Sequence, residues 1–277
     1  MEIEIFQMKH LIEYKLFESK NFFNPSSEIR QRLEKYIEQK MSTTPELPLS
    51  NWIYHNIIRK SSDVSSSELK DWVKDNSEKF GTLCDKYLDM YKSQNDLIRS
   101  AQDPQGEWLG INFNPKLKVK DIKGGKEVTY NYYLTFTRSS DNFKQWINSL
   151  SDLITRLYNE CKSGELKDSA ISMKFGYNLG HYLSDNDHMK FYWYKVEDES
   201  KVENIINSWL DDNKIGTEKR PYTKGIDAGS KSSWGTLVSD KVSEEFEKLL
   251  QKNGNKFTPK QYSEWIINML NTTKFKF

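Results

Sequence analysis

The sequence predicts an α+β fold: a mainly antiparallel sheet covered by helices, with a helical N-terminal layer. Three observations predict it. Apolar residues recur three and four apart through most of the first hundred residues. The period drops to two across residues 116–138, on either side of Gly124-Gly125. After that, short alternating stretches are interleaved with helical ones, in the order strand, strand, helix, polar stretch, helix, helix from residue 169 onward. Residues 1–100 read as a helical region and 101–277 as an α+β domain, the two packed as one unit.

The elements follow in order. LIEYKLF and EIRQRLEKYIEQK place apolar residues on one helical side, with Pro25-Ser26-Ser27 capping the second stretch. STTPELPLS is a loop, and NWIYHNIIRK (51–60) a short helix with an aromatic face. Residues 66–100 form one or two helices broken near Gly81, and 101–115 are rich in turn formers. In 116–138, Leu117, Val119 and Ile122 precede the Gly-Gly turn, and Val128, Tyr130, Tyr132, Leu134 and Phe136 share one strand face. Residues 141–162 carry a helical stripe of Phe143, Ile147, Leu150, Ile154 and Leu157. SAISMKFGYNL (169–179) and MKFYWYKV (189–196) are strands, and 201–214 is an amphipathic helix. Helices at 238–252 and 258–273 close the chain, the last opened by Thr258-Pro259.

Bulk composition excludes several classes. The chain has 277 residues, 36% of them hydrophobic, enough to bury a substantial core. Basic and acidic residues balance at 41 against 40, which argues against a general nucleic-acid binder. Two distant cysteines, Cys84 and Cys161, make neither a disulfide framework nor a zinc motif, so a reducing, cytoplasmic setting is expected. MEIEIFQMKH does not read as a secretory signal, and no apolar run is long enough to span a membrane. The four histidines, His10, His55, His181 and His188, show no metal-ligand spacing; no metal and no cofactor is expected. Dinucleotide, Walker, GxSxG and HExxH motifs are all missing. Asp185/Asp187 and Asp211/Asp212 read as turn formers and solvated charge.

Basic, hydroxyl and phenolic groups concentrate in the second half. RPYTKGIDAGSKSSWG (220–235) cannot be a helix interior, and it is too polar for a buried strand. Its glycines, cations and hydroxyls suit an anion such as phosphate; otherwise it is a solvated loop. Lys174 lies mid-strand, sharing a face with Ser172 and Gly176 and opposed to Met173 and Phe175. There it is either solvated or lines a pocket where it acts as a base. Arg138 ends YYLTFTR and is placed to reach an anion, unless it is a solvated edge residue. His181, after Gly180, is either a general acid or a histidine with no such role.

Four stretches together resemble the HopA effector family, which includes lyase components of lanthipeptide biosynthesis. They are SAQDPQGEWLGINF (100–113), YYLTFTR (132–138), ISMKFGYN (171–178) and RPYTKGIDAGSKSSWG (220–235). Gly106, Trp108 and Gly110, Lys174, and Pro221, Thr223, Lys224, Ser233, Trp234 and Gly235 carry the match. The family often has Arg-x-Asp before the strand at 189–196; here Asp185-Asn186-Asp187 stands instead. The resemblance spans roughly residues 50–250 and implies phosphate elimination from phosphoserine or phosphothreonine of a precursor peptide, giving dehydro residues. It implies Lys174 or Lys224 as the base, His181 or Tyr222 as the acid, and Arg138, Arg220, Lys231, Thr223 and Ser233 as phosphate ligands. A separate kinase-like protein would supply the phosphorylated peptide, since this chain has no kinase signature. A non-catalytic, effector-like module that binds a phosphate-bearing ligand or a protein is the alternative.

Overall fold

The computed structural model describes residues 23, 25–43, 45, 47–59, 66–92, 97–103, 106–117, 121–123, 126–185, 187–218, 224–228 and 234–272. These fall into two compact units, one drawn from 1–62 with 232–277 and the other from 63–231. That division cuts the chain differently from an expected boundary at residue 100. The fold is α+β, with an antiparallel sheet and helices against it.

In the first unit, helix α1 (Ser27–Ser42) starts at Ser26, whose hydroxyl accepts from Ile29 N–H at 3.3 Å. Helix α2 (Leu49–Ile53) continues into a π-helical turn over Tyr54–Ile58. The remaining helices of this unit come from residues 232–277. The expected helix over LIEYKLF lies outside the described residues.

The second unit opens with helix α3 (Ser67–Lys92). It runs unbroken through Gly81, contrary to the expected break there; nothing lies within 4 Å of where a Cβ at Gly81 would stand. The packing of Leu69, Val73, Phe80, Cys84 and Tyr87 outweighs the modest helix penalty of one glycine. Strands β1 (Ile98–Gln102) and β2 (Trp108–Phe113) follow as an antiparallel pair. Sequence reading gave these residues to the helical layer and to turns, and the structure corrects that. In the loop between them the Asp103 carboxylate accepts from Glu107 and Trp108 N–H at 2.7 and 3.1 Å. Gly106 there has φ +70°, which favours glycine.

Strands β3 (Asp121–Lys123) and β4 (Lys126–Phe136) pair with Lys123 opposite Lys126, as the Gly-Gly signal predicts. Leu117 is not part of the hairpin and is exposed. Helix α4 (Ser140–Ser163) begins at Ser139, which caps Asn142 N–H at 3.2 Å, and buries Phe143, Trp146, Leu150, Leu153, Ile154 and Leu157. Strand β5 (Ile171–Gly176), short helix α5 (His181–Ser184), strand β6 (Met189–Trp193) and helix α6 (Glu199–Asp212) come next. Strands β7 (Thr217–Glu218) and β8 (Lys224–Ala228) both pair with β4. Strand β8 falls inside the stretch expected to be a loop. It pairs only with β4 among the described strands, and an edge position tolerates its polar sequence.

The sheet runs β1-β2-β5-β6-β4, with β8 beyond β4, every pair antiparallel. Period-two alternation gives it two chemically different sets of rows. One set, including Leu109-Phe175-Met189-Leu134 and Ile111-Met173-Phe191, joins the core with residues of α3, α4 and α6. The other set, one residue out of step, carries the polar groups considered next.

Back in the first unit, helix α7 (Trp234–Asn253) packs on α2 and its π-helical turn, and helix α8 (Pro259–Thr272) packs on α1 and α7. A Cβ at Gly235 would stand 3.0 Å from the Tyr54 ring, so a glycine permits that approach. Pro259 is the first residue of α8, and Thr258 and Gln261 bond reciprocally, Thr258 N–H to Gln261 Oε1 at 2.8 Å and Gln261 N–H to Thr258 Oγ1 at 3.3 Å. Asn271 exchanges two hydrogen bonds of 2.9 Å with the backbone of Phe23. Among the described residues, no helix is long and apolar enough to cross a membrane.

Candidate functional site

Register brings two lysines face to face. Lys174 on β5 is the direct partner of Lys190 on β6, in a row that continues to Gly110 on β2 and Tyr133 on β4. Trp108 stands beside them, its ring centroid 5.1 Å from the Lys174 ammonium and 4.9 Å from that of Lys190. Tyr192 lies 5.6 Å from Lys174 and Tyr133 5.0 Å from Lys190. Aromatic faces attract ammonium groups, so these rings form a cage for two cations. Lys190 is also bonded to Asp187 Oδ2 at 2.8 Å, both side chains being about one-tenth exposed. The second carboxylate oxygen of Asp187 is buried and has no hydrogen-bond partner among the described residues.

A short segment after β5 completes this surface. His181 opens α5, and its ring meets Trp108 edge-on with centroids 4.7 Å apart. A Cβ at residue 176 would stand 2.7 Å from the His181 ring, so Gly176 is what lets the imidazole lie against β5. His181 Nδ1 is 3.2 Å from Asp185 Oδ2, and Nε2 is 3.1 Å from the Asp187 carbonyl. With an oxygen before each nitrogen, both bonds form together only in the doubly protonated ring. Asp185 and Asp187 are thus buried, not solvated turn residues as their sequence suggests. Asp185 faces His181 and Asp187 faces Lys190, and such polar partners are what make burial tolerable.

Arg138 holds this segment in place. Its Nε donates to the Tyr182 carbonyl at 3.0 Å and one terminal nitrogen to the Asp185 carbonyl at 2.7 Å, while the other lies 3.5 Å from Glu218. The guanidinium is buried and is not a solvated edge residue. His188, fully buried, accepts from Phe136 N–H on Nδ1 at 2.8 Å, which leaves the Nε2–H to donate to the Asp185 carbonyl at 2.8 Å. The segment carrying Asp185 and Asp187 is therefore bound to β4 by two buried cationic or imidazole side chains.

Of the residues singled out from sequence, Lys174 and His181 come together around Trp108. Tyr222, Arg220, Thr223, Lys231 and Ser233 lie outside the described residues. Lys224 is placed by its backbone, opposite Tyr132 on β4. That puts it in a row one residue out of step with Lys174, Lys190 and Tyr133. Sequence reading missed Lys190, Asp187, Tyr133 and Tyr192. One signal was available: β5 and β6 each contain Met-Lys-Phe, and antiparallel pairing centred on those lysines juxtaposes them.

Other reactive groups are tied down. Burial pushes the Cys84 and Cys161 thiols up to about 12, so neither supplies a thiolate near neutrality. Tyr177 is pushed up to about 12, first by its hydrogen bond to the Asp85 carboxylate and then by burial. Burial raises Tyr182 well above its ordinary range. Among the described residues, no group of three His, Cys, Asp or Glu side chains is placed to hold a metal ion. No protein-family model, curated protein or solved structure matches the chain.

Proposed function

We propose that this protein is a lyase that removes phosphate from phosphoserine or phosphothreonine in a precursor peptide, in the manner of the HopA-like lyases it resembles. The observation that carries the reading is the register pairing of Lys174 with Lys190 inside an aromatic cage. Like charges directly opposite on neighbouring strands repel, and a dianionic phosphate between or beside them relieves that repulsion.

The reaction divides among residues of this face. Lys174 in its amine form takes the Cα proton. The C–H electrons become the Cα–Cβ double bond, and the Cβ–O bond breaks with its electrons leaving on phosphate. Lys190, held as a cation by Asp187, stabilises the negative charge that builds up. His181, or Tyr222, returns a proton to the departing phosphate. Arg220, Thr223, Lys231 and Ser233 are the further phosphate ligands; Lys224, in the rows one residue out of step with this face, is not its base. Arg138 acts by positioning the Asp185–Asp187 segment. The peptide arrives phosphorylated by a separate kinase-like protein, in the cytoplasm.

One observation favours a non-catalytic reading. Both His181 nitrogens already face oxygens of the chain, which suits a fixed anion-binding wall as well as an acid. Mass spectrometry of a phosphothreonine peptide incubated with the protein separates the two. Loss of phosphoric acid, leaving dehydrobutyrine, is the expected result. A peptide that is bound but unchanged favours the binding module, and a regenerated threonine means a phosphatase.

A further inference from the structure

We infer that Asn131 is a recognition residue for the main-chain amide of a peptide substrate. The inference rests on the phosphopeptide reading of the same face. Asn131 sits on β4, in register with Tyr192 on β6 and Gly225 on β8. It is two residues from Tyr133 and therefore in the same set of rows as the lysine pair. Its side chain is 1% exposed. Neither its amide nitrogen nor its carbonyl oxygen has a hydrogen-bond partner among the described residues. Buried polar side chains are nearly always paired, so one with both ends open marks a place where another group belongs.

The chemistry of a carboxamide restricts what that group is. The NH2 donates and the C=O accepts, side by side. Phosphate would satisfy only the donor, and a cation only the acceptor. A peptide unit offers a carbonyl and an N–H and satisfies both. Position agrees with this. Tyr192, the partner of Asn131, is the ring that lies 5.6 Å from the Lys174 ammonium. Asn131 lies two strands and two residues from Lys174; with strands about 4.8 Å apart and about 3.3 Å per extended residue, that is about 12 Å, so the amide that meets Asn131 belongs to a residue about three or four positions from the phosphorylated one. Asn131 thus selects a polypeptide over a free phosphate ester.

Calorimetry with ligands that cannot eliminate tests this. One is the phosphonate analogue of phosphothreonine, in which CH2 replaces the bridging oxygen, placed at the centre of a nonapeptide capped as N-acetyl and N-methylamide. The other is propylphosphonate, which has no amide. The full-length wild-type chain should bind the capped analogue more tightly. Asn131→Leu should erase about tenfold of that preference, leave propylphosphonate binding unchanged and keep the melting temperature, since an apolar side chain replaces an unpaired amide. Asn131→Asp, similar in shape but lacking the donor, should lose the same preference and serves if the Leu variant does not fold. An intact preference in both variants overturns the inference while leaving the phosphate reading standing. A melting temperature several degrees lower in Asn131→Leu also overturns it, because it reveals a structural partner. Binding of neither ligand to the wild type overturns the phosphate reading and this inference with it.

Discussion

The same five strands present two unlike sets of side chains. In the rows joined to α3, α4 and α6, Leu109, Ile111, Met173, Phe175, Phe191 and Trp193 are buried against Phe136, Trp146 and Leu153. One residue out of step, those strands carry Lys174, Lys190, Tyr133, Tyr192 and Asn131. The first set is almost wholly apolar, and its buried polar atom without a partner among the described residues is the indole Nε1 of Trp193. The second brings like charges into direct opposition and leaves the Asn131 amide without a partner among the described residues. On the proposed function, the first set holds the fold and the second meets the phosphopeptide.

Substitutions in each set should therefore have different signatures. The largest stability effect is expected from Trp146→Ala, which empties a fully buried site stacked on Phe136 and should cost about 3–5 kcal/mol in denaturant unfolding. Asp187→Ala comes next. It leaves the nearly buried Lys190 ammonium without its carboxylate and should cost about 2–3 kcal/mol, discounted for the remaining exposure. Gly176→Ala should cost about 1–2 kcal/mol by forcing the His181 ring off β5, and it should lower product formation more than stability. If melting and activity fall in parallel, Gly176 is only a packing residue.

The smallest effect concerns pH. Burial raises the Asp198 carboxyl above its ordinary value, against the Ser169 hydrogen bond of 2.8 Å and Lys195, which lower it. The folded chain then keeps this proton to higher pH than the unfolded chain does. Stability falls as pH rises from the ordinary carboxylate value through the raised one. Asp198→Asn keeps an acceptor for Ser169 and removes the charge. It should stabilise the protein at neutral pH, by less than about 1 kcal/mol, and have no such effect in acid. A pH-independent difference in melting would contradict the assignment.

Much of the apolar set was legible in the sequence, because it is written as local period. Val128, Tyr130, Leu134 and Phe136 alternate, and Phe143, Leu150, Ile154 and Leu157 recur helically; all are buried. The β1–β2 hairpin was not legible in the same way. Gly110, Asn112 and Asn114 look like turn formers, yet Leu109, Ile111 and Phe113 alternate between them and are buried. Asn114 itself is a tertiary device, its Nδ2 donating toward the carbonyls of Cys161, Leu166, Lys167 and Ser169 at 2.9–3.4 Å. The polar set depends on register. Lys174 could be placed on a strand face from its neighbours, but its pairing with Lys190 needs β5 and β6 aligned to the residue. The burial of Asp185, Asp187 and Arg138 needs Tyr182, Asp185 and His188 docked beside the end of β4, which no local pattern specifies.

The most direct test of the account is the rate of dehydro-product formation from a phosphothreonine peptide, followed by mass spectrometry, for the wild type and Lys174→Met. The variant keeps the apolar stem and should melt like the wild type, yet lose about a hundredfold or more in rate, the scale of a missing general base. Undiminished product formation by a folded Lys174→Met would contradict the claim that the lysine row of this sheet carries the chemistry.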